Sequence, residues 1–465
     1  VKLTLAQCAE WMDGELRIPS PYLLQKQVAG YSIDTRTLGP GELFFAVSGE
    51  RFDAHTFVPQ AMAKGAAAVV VAAAKAAAPA IRKAPRIVVD DPLPALQRLG
   101  AAVRRSWHGT LIGLTGSAGK TTTKEMTAAV LATKHCVLKS AGNLNNHFGV
   151  PLQLLRLEPG HAFAVIEMGM SAAGEIALLA GLAAPDWGIV TNVGQAHTQS
   201  FADGIEGVAR AKRELIEALD PERGIAFLSA DDARVRAFAE SFAGRCVLAG
   251  MAIDAEVRAV QVREHGADGL TLLVEARGEQ AEVRLRMLGA HNAQNALLAI
   301  AAGVEAGVSL REAALALEAL SPGEKRGEVL RLRGAQIIND CYNSNPTALR
   351  AMIATLASVP AQRRILVAGE MLELGPEGPA LHAGCGAAAA RAGLDWVVGV
   401  RGDAAALVEA AAQAGARTRF FDTPQEAGVW LAGEMRAGDA VLLKASRGVR
   451  LEQALMALHL PQASR

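Results

Sequence analysis

The residues Gly113-Leu114-Thr115-Gly116-Ser117-Ala118-Gly119-Lys120-Thr121-Thr122 concentrate the chemistry-bearing groups of this 465-residue chain. Glycines let a backbone turn until successive N–H groups point at one anion, and a helix starting there adds partial positive charge. The Lys120 amine suits the β- and γ-phosphates of a nucleotide, and the Thr121 hydroxyl suits Mg²⁺. Gly116, Ser117, Ala118, Gly119 and Thr122 complete the cradle. Strict phosphate-loop spacing puts the first glycine at 114, where Leu114 stands. Gly113 is one residue early, whereas the Gly116 to Thr121 core is intact. The pattern predicts ATP or GTP and does not say what is done with it.

Other residues extend this chemistry. An apolar run ends in Glu167, and a strand-end carboxylate beside a phosphate loop can hold Mg²⁺ directly or through water. The plainer reading is an acid facing solvent. His197 follows the run 187–192 in a loop, where both a metal ligand and a structural histidine fit. Lys212 lies in a helical run, 204–219, and spacing alone reads it as exposed beside Glu214 or Glu217. Asn145 and Asn146 follow Gly142; they would line the junction of two binding sites or simply make a turn. Ser32, Asp34, Arg36 and Arg51 surround a Gly/Pro-marked turn. Arginine suits bidentate diphosphate recognition, and a surface ion pair is the alternative.

Elements with two periodicities must position these groups. Short β-branched runs (68–71, 87–89, 111–114, 163–166, 188–191, 337–338, 365–367, 396–400, 440–443) alternate with Ala/Leu-rich amphipathic stretches (122–133, 204–219, 292–302, 346–357, 380–392). Strand then helix, repeated, predicts an α/β fold with mostly parallel sheets. Residues 255–285 instead alternate apolar and polar, as antiparallel strands do. Boundaries near 107–109 and 321–323 divide the chain into domains 1–107, 108–320 and 321–465.

Composition narrows the function classes. Lys+Arg and Asp+Glu are both 47, which argues against bulk nucleic-acid or anionic-membrane binding. The most apolar stretch, 65–81, is broken by Lys75 and Pro79, so no stable membrane insertion is expected. Five scattered cysteines without a CxxC spacing, and no basic-then-apolar leader pattern, read as a cytoplasmic chain with reduced thiols.

Many separated motifs in one order resemble the Mur ligases, the ATP-dependent amide-forming enzymes of peptidoglycan precursor synthesis. They are Asp34-Thr35-Arg36, Asp53-Ala54-His55, the phosphate loop, Gly142-Asn143-Leu144-Asn145-Asn146 and Glu167-Met168-Gly169. The series continues with Thr191-Asn192 through His197, Ala211-Lys212, His291-Asn292 through Asn295, and Asp340-Cys341-Tyr342-Asn343-Ser344-Asn345-Pro346. Glu370-Met371-Leu372-Glu373-Leu374-Gly375 and Lys444-Ala445-Ser446-Arg447 complete it. The Tyr342 to Pro346 and Met371 to Gly375 pieces look like the dipeptide-adding member. Ala118, Ser344, Ala445 and Glu370 depart from the residues usual in the family.

The resemblance implies three α/β domains: an N-terminal one for a UDP-sugar, a central ATPase with a mostly parallel sheet, and a C-terminal Rossmann-like one. It implies ATP and two Mg²⁺ ions, with Thr121, Glu167, His197 and a carbamylated Lys212 around the metals. Lys120, Lys212 and His197 would be catalytic. Asn292 and Asn295, on one helical face, would address the adenine; Arg326 and Asp340 would reach the phosphates and ribose. Ser32, Asp34, Arg36, Arg51, Asn145, Asn146, Asn343 and Asn345 would serve the other substrates. The expected partners are UDP-N-acetylmuramoyl-tripeptide, D-alanyl-D-alanine and ATP, on a monomeric enzyme working through an acyl phosphate. Other ligases of the family, or of the folate polyglutamate type, share this chemistry. A nucleotide-driven switch or a small-molecule kinase would use the loop differently.

Overall fold

Apolar β-branched segments become parallel strands when helices cover both of their faces, and each sheet of this protein follows that rule. The computed structural model describes residues 2–49 and 52–458. Among them the chain forms three sheets in three α/β domains. In the first, Tyr31–Ser32, Leu43–Phe45, Ala68–Ala72 and Arg86–Val89 run parallel, and Glu15–Arg17 closes one edge antiparallel. The third sheet has the order Glu328–Leu332, Ala335–Asp340, Asp439–Lys444, Arg363–Gly369, Trp396–Val400, Arg417–Phe421, parallel but for its first pair.

The central sheet carries nine strands. Thr110–Thr115 lies between Phe163–Glu167 and Trp187–Val190, so the strand order reverses on either side of it. Ligands of open α/β sheets bind outside the carboxyl end of such a strand, and the phosphate loop leaves from that end. The expected antiparallel stretch is present as Val257–Glu264, Leu270–Ala276 and Glu279–Leu285. It joins the sheet through a parallel pairing with Arg245–Gly250.

The helix Lys120–Leu131 begins two residues before the expected 122, because Gly119 turns the chain at φ +81°. Its Met126, Val130 and Leu131 pack with Leu297 and Ile300 of the helix His291–Glu305 and with strand residues Ile112 and Leu114. Fully burying one such side chain contributes roughly 1.5–3 kcal/mol, so this layer fixes the loop's exit direction. Among the described residues, no helix is long and apolar enough to cross a membrane.

Candidate active site

The displaced glycine of the phosphate loop has a packing explanation. Gly113 lies inside the strand, where a Cβ would come within 2.8 Å of Leu215. The turning is done by Gly116 (φ +151°) and Gly119 (φ +81°). A Cβ on Gly116 would stand 1.8 Å from Thr191 Oγ1, and one on Gly119 2.4 Å from Asn295 Oδ1. Both positions therefore require glycine for space as well as for φ.

The loop is clamped to the end of the neighbouring strand. Thr191 Oγ1 donates to Ala118 O at 2.6 Å, and Asn192 Nδ2 donates to the same oxygen at 3.0 Å. Ala118 N–H donates to Asn192 Oδ1, and Ser117 N–H to Asn192 O. The Ser117 hydroxyl donates to Gly194 O and accepts from Gly194 N–H. From the third domain, Asn345 Nδ2 donates to Ser117 O at 3.4 Å, while its Oδ1 caps the helix Pro346–Ser358. Thr191 and Asn192 belong to a motif that carries the family resemblance, yet they hold no charge and residue type alone assigns them no role. Their signal was only their place at the tip of a strand beside the loop.

Past the clamp, the helix opens with no side-chain cap, leaving its first turn directed at the loop. Thr122 lies in that turn. Lys120 Nζ donates to Gly116 O at 2.6 Å. The Thr121 hydroxyl donates to Glu167 Oε2 at 2.9 Å, and Asn145 Nδ2 donates to Oε1 at 2.9 Å. Glu167 is only 4% exposed, which rules out the solvent-facing reading. Its backbone N–H donates to Ser140 Oγ, and the buried Lys124 ammonium donates to Ser140 O at 2.8 Å.

Two hard oxygen donors, Thr121 Oγ1 and Glu167, thus meet at the mouth of the loop. That suits Mg²⁺, which takes one or two protein oxygens and fills its octahedron with phosphates and water. Among the described residues no three His, Cys, Asp or Glu side chains converge.

Lys212 is 2% exposed, on the same face as Val208, Ala211 and Leu215. The expected acidic neighbours are committed elsewhere: Glu214 accepts from Gly174 and Ala177 N–H, and Glu217 pairs with Arg213. Burial, and then the nearby Lys120 charge, push the Lys212 amine well below its ordinary pKa. Reading 208, 211, 212 and 215 as one apolar stripe would have found it.

His197 Nδ1 stands 2.6 Å from Glu373 Oε2 of the third domain, a contact that holds the Glu373 carboxyl below its usual range. Both residues are left-handed (φ +61° and +66°), a conformation few residues other than glycine adopt. Arg326 Nη2–H donates to Thr121 Oγ1 at 3.0 Å, so the third domain also reaches the loop directly. Asp340 accepts from the buried Lys444 ammonium at 2.5 Å, and that amine also donates to Asn343 O. The Asn343 side chain is exposed and accepts from Ser344 N–H.

Asn292 and Asn295 sit beneath the loop. Thr123 Oγ1 donates to Asn295 Oδ1, Asn295 Nδ2 to Asn292 Oδ1, and Asn292 Nδ2 to Leu288 O. Asn146 is exposed and caps the next turn through Gly149 N–H. In the first domain, Ser32 Oγ accepts from Asp34 N–H, and Asp34 binds Arg36 through its backbone and guanidinium. Arg51 lies outside the described residues.

Three family models match most of the chain: "Mur ligase family, catalytic domain" over 27–104, "Mur ligase middle domain" over 114–303, and "Mur ligase, glutamate ligase domain" over 325–447. The chain belongs to the Mur ligase family. As a Mur ligase it is an ATP-dependent enzyme that forms amide bonds. It is 37% identical to the UDP-N-acetylmuramoyl-tripeptide–D-alanyl-D-alanine ligase of Bacillus subtilis, over 97% of each chain. It is 35% identical to the Escherichia coli enzyme of the same name, over 98% of each. The fold of this Mur ligase is similar to MurF from Acinetobacter baumannii (TM-score 0.87, 30% identity, 98% and 99% covered). It is also similar to MurF ligase from Thermotoga maritima in complex with ADP (TM-score 0.80, 27% identity, 92% and 96% covered).

Proposed function

We propose that this Mur ligase joins D-alanyl-D-alanine to UDP-N-acetylmuramoyl-tripeptide, with ATP converted to ADP and phosphate. The observation that carries the reading is the meeting of Lys120, the Thr121–Glu167 pair and Arg326 at one loop, with Lys212 buried nearby. A carboxylate and an amine form a salt in water, so an oxygen must first become a leaving group. The donor carboxylate attacks the γ-phosphorus, ADP departs, and the dipeptide amine then displaces phosphate from the acyl phosphate. The first step brings two anions together. Lys120 and Arg326 concentrate positive charge there. Bound Mg²⁺ would add Lewis-acid charge at two sites, held by Thr121, Glu167, His197 and Lys212.

Lys212 supports that reading because a buried amine of lowered pKa is a free nucleophile. It would add to the carbon of CO₂ and lose a proton, giving an anionic carbamate that offers a metal oxygen ligands. Asn292 and Asn295, joined side chain to side chain beneath the loop and tied to its helix through Thr123, address the adenine. Asp340 addresses the ribose. Ser32, Asp34, Arg36, Arg51, Asn145, Asn146, Asn343 and Asn345 serve the UDP-linked and dipeptide substrates. Domain borders fall at 107/108 and 320/321, and the enzyme works as a cytoplasmic monomer.

The test supplies the tripeptide substrate with ¹⁸O in its terminal carboxyl, together with ATP, Mg²⁺ and D-alanyl-D-alanine. Mass spectrometry should find the pentapeptide product and one labelled oxygen in inorganic phosphate. Unlabelled phosphate, or ADP release without the pentapeptide product, overturns the reading.

A further inference from the structure

Arg326 reaches the phosphate loop from a segment with an unusual backbone. Its neighbours Lys325 (φ +58°) and Gly327 (φ +74°) are both left-handed, so the chain doubles around it. Hydrogen bonds hold that shape: Tyr342 N–H donates to Lys325 O and Gly327 N–H to Asn339 O, both at 3.1 Å. The guanidinium then sits over an aromatic ring. Arg326 Cζ is 3.7 Å from the centroid of Tyr342, and Arg447 Cζ is 4.9 Å from the same centroid. Neither arginine has an acidic partner among the described residues.

Two like charges beside one ring repel each other. The negative face of the aromatic system offsets part of that repulsion and leaves the guanidinium donors that Thr121 does not engage available to an anionic ligand. The ring itself stands on a fixed platform. Lys444 ties Asp340 to Asn343 O, and Ser446 Oγ donates to Ser344 O at 3.2 Å. A long side chain crossing from one domain to another loses much rotamer freedom; a stacked guanidinium has already given that freedom up.

We propose that Tyr342 is a positioning residue for the ligation: its ring holds Arg326 in the orientation that meets Thr121 and the nucleotide. This rests on the reading that Arg326 addresses the nucleotide phosphates. The ring acts through its π face, and the hydroxyl is dispensable.

The experiment measures ADP affinity by calorimetry with Mg²⁺, and kcat/KM for ATP, in the full chain. Tyr342→Leu and Tyr342→Met should each lose about 5- to 30-fold in both, as expected for one desolvated cation–π contact. Tyr342→Phe should restore most of that loss. Arg326→Ala should lose at least as much as Tyr342→Leu, and the double variant should be no worse than Arg326→Ala alone. Melting curves confirm that each variant is folded, and the methionine variant stands in should the leucine one fail to fold. Losses that multiply in the double variant, or a phenylalanine variant as weak as leucine, overturn the proposal. An Arg326→Ala variant with unchanged ADP affinity and kcat/KM instead removes the underlying reading of Arg326.

Discussion

The phosphate loop and the Ser32 to Arg36 turn both present charged side chains beside a tight turn, yet they are built in opposite ways. At the loop, distant elements do the holding: Ala118 is bonded by Thr191 and Asn192 and Ser117 by Gly194 and Asn345, while Thr191 and Asn295 leave no room for a side chain at Gly116 and Gly119. At the turn, Asp34 and Arg36 satisfy each other two residues apart, with the Arg36 side chain 86% exposed. A site clamped from outside holds its geometry before a ligand arrives. A locally paired one must exchange partners to bind. The difference separates preorganised electrostatics from a surface pair that contributes little to the fold.

Substitutions can break or sharpen that contrast. Lys120→Ala should lower turnover by at least ~10²–10³-fold, the usual effect of deleting one preorganised contact, as measured by ADP release. A near-wild-type rate removes the loop from the chemistry. Gly116→Ala forces a methyl against Thr191 and should weaken ADP binding by more than about tenfold. Calorimetry reads it, and unchanged affinity would show that the clamp yields.

Lys212→Met tests burial itself. The unfolded chain holds the Lys212 proton up to the ordinary lysine pKa, whereas the folded chain releases it well below. The wild type therefore gains stability relative to Lys212→Met as pH rises between those two values, and the methionine variant is the more stable one at lower pH. Melting temperatures across the alkaline range check the sign, and a parallel pair of curves refutes it. The smallest effect belongs to Arg36→Ala: an unchanged melting temperature with a raised KM for the UDP-linked substrate.

The strand–helix alternation was legible because period-2 and period-3.6 patterns are local. The loop was legible because its glycines and lysine are adjacent. Spacing alone leaves Lys212 exposed, because its neighbours Glu214 and Glu217 suggest pairing, although their carboxylates turn to Gly174, Ala177 and Arg213. The clamping role of Thr191 and Asn192 and the Glu373 contact of His197 are not legible in the sequence. Each depends on which strand ends and domains meet, and that is set by topology far along the chain.

One strap has a consequence for ionic strength. Lys124 is sealed in the interior with its ammonium on Ser140 O and the Glu125 carboxylate, and the Ser140 hydroxyl holds the backbone of Glu167. Dissolved ions screen exposed charges across a Debye length but hardly enter such a dry contact. Concentrated electrolyte should therefore loosen the Asp34–Arg36 turn long before it misaligns the carboxylate beside the phosphate loop.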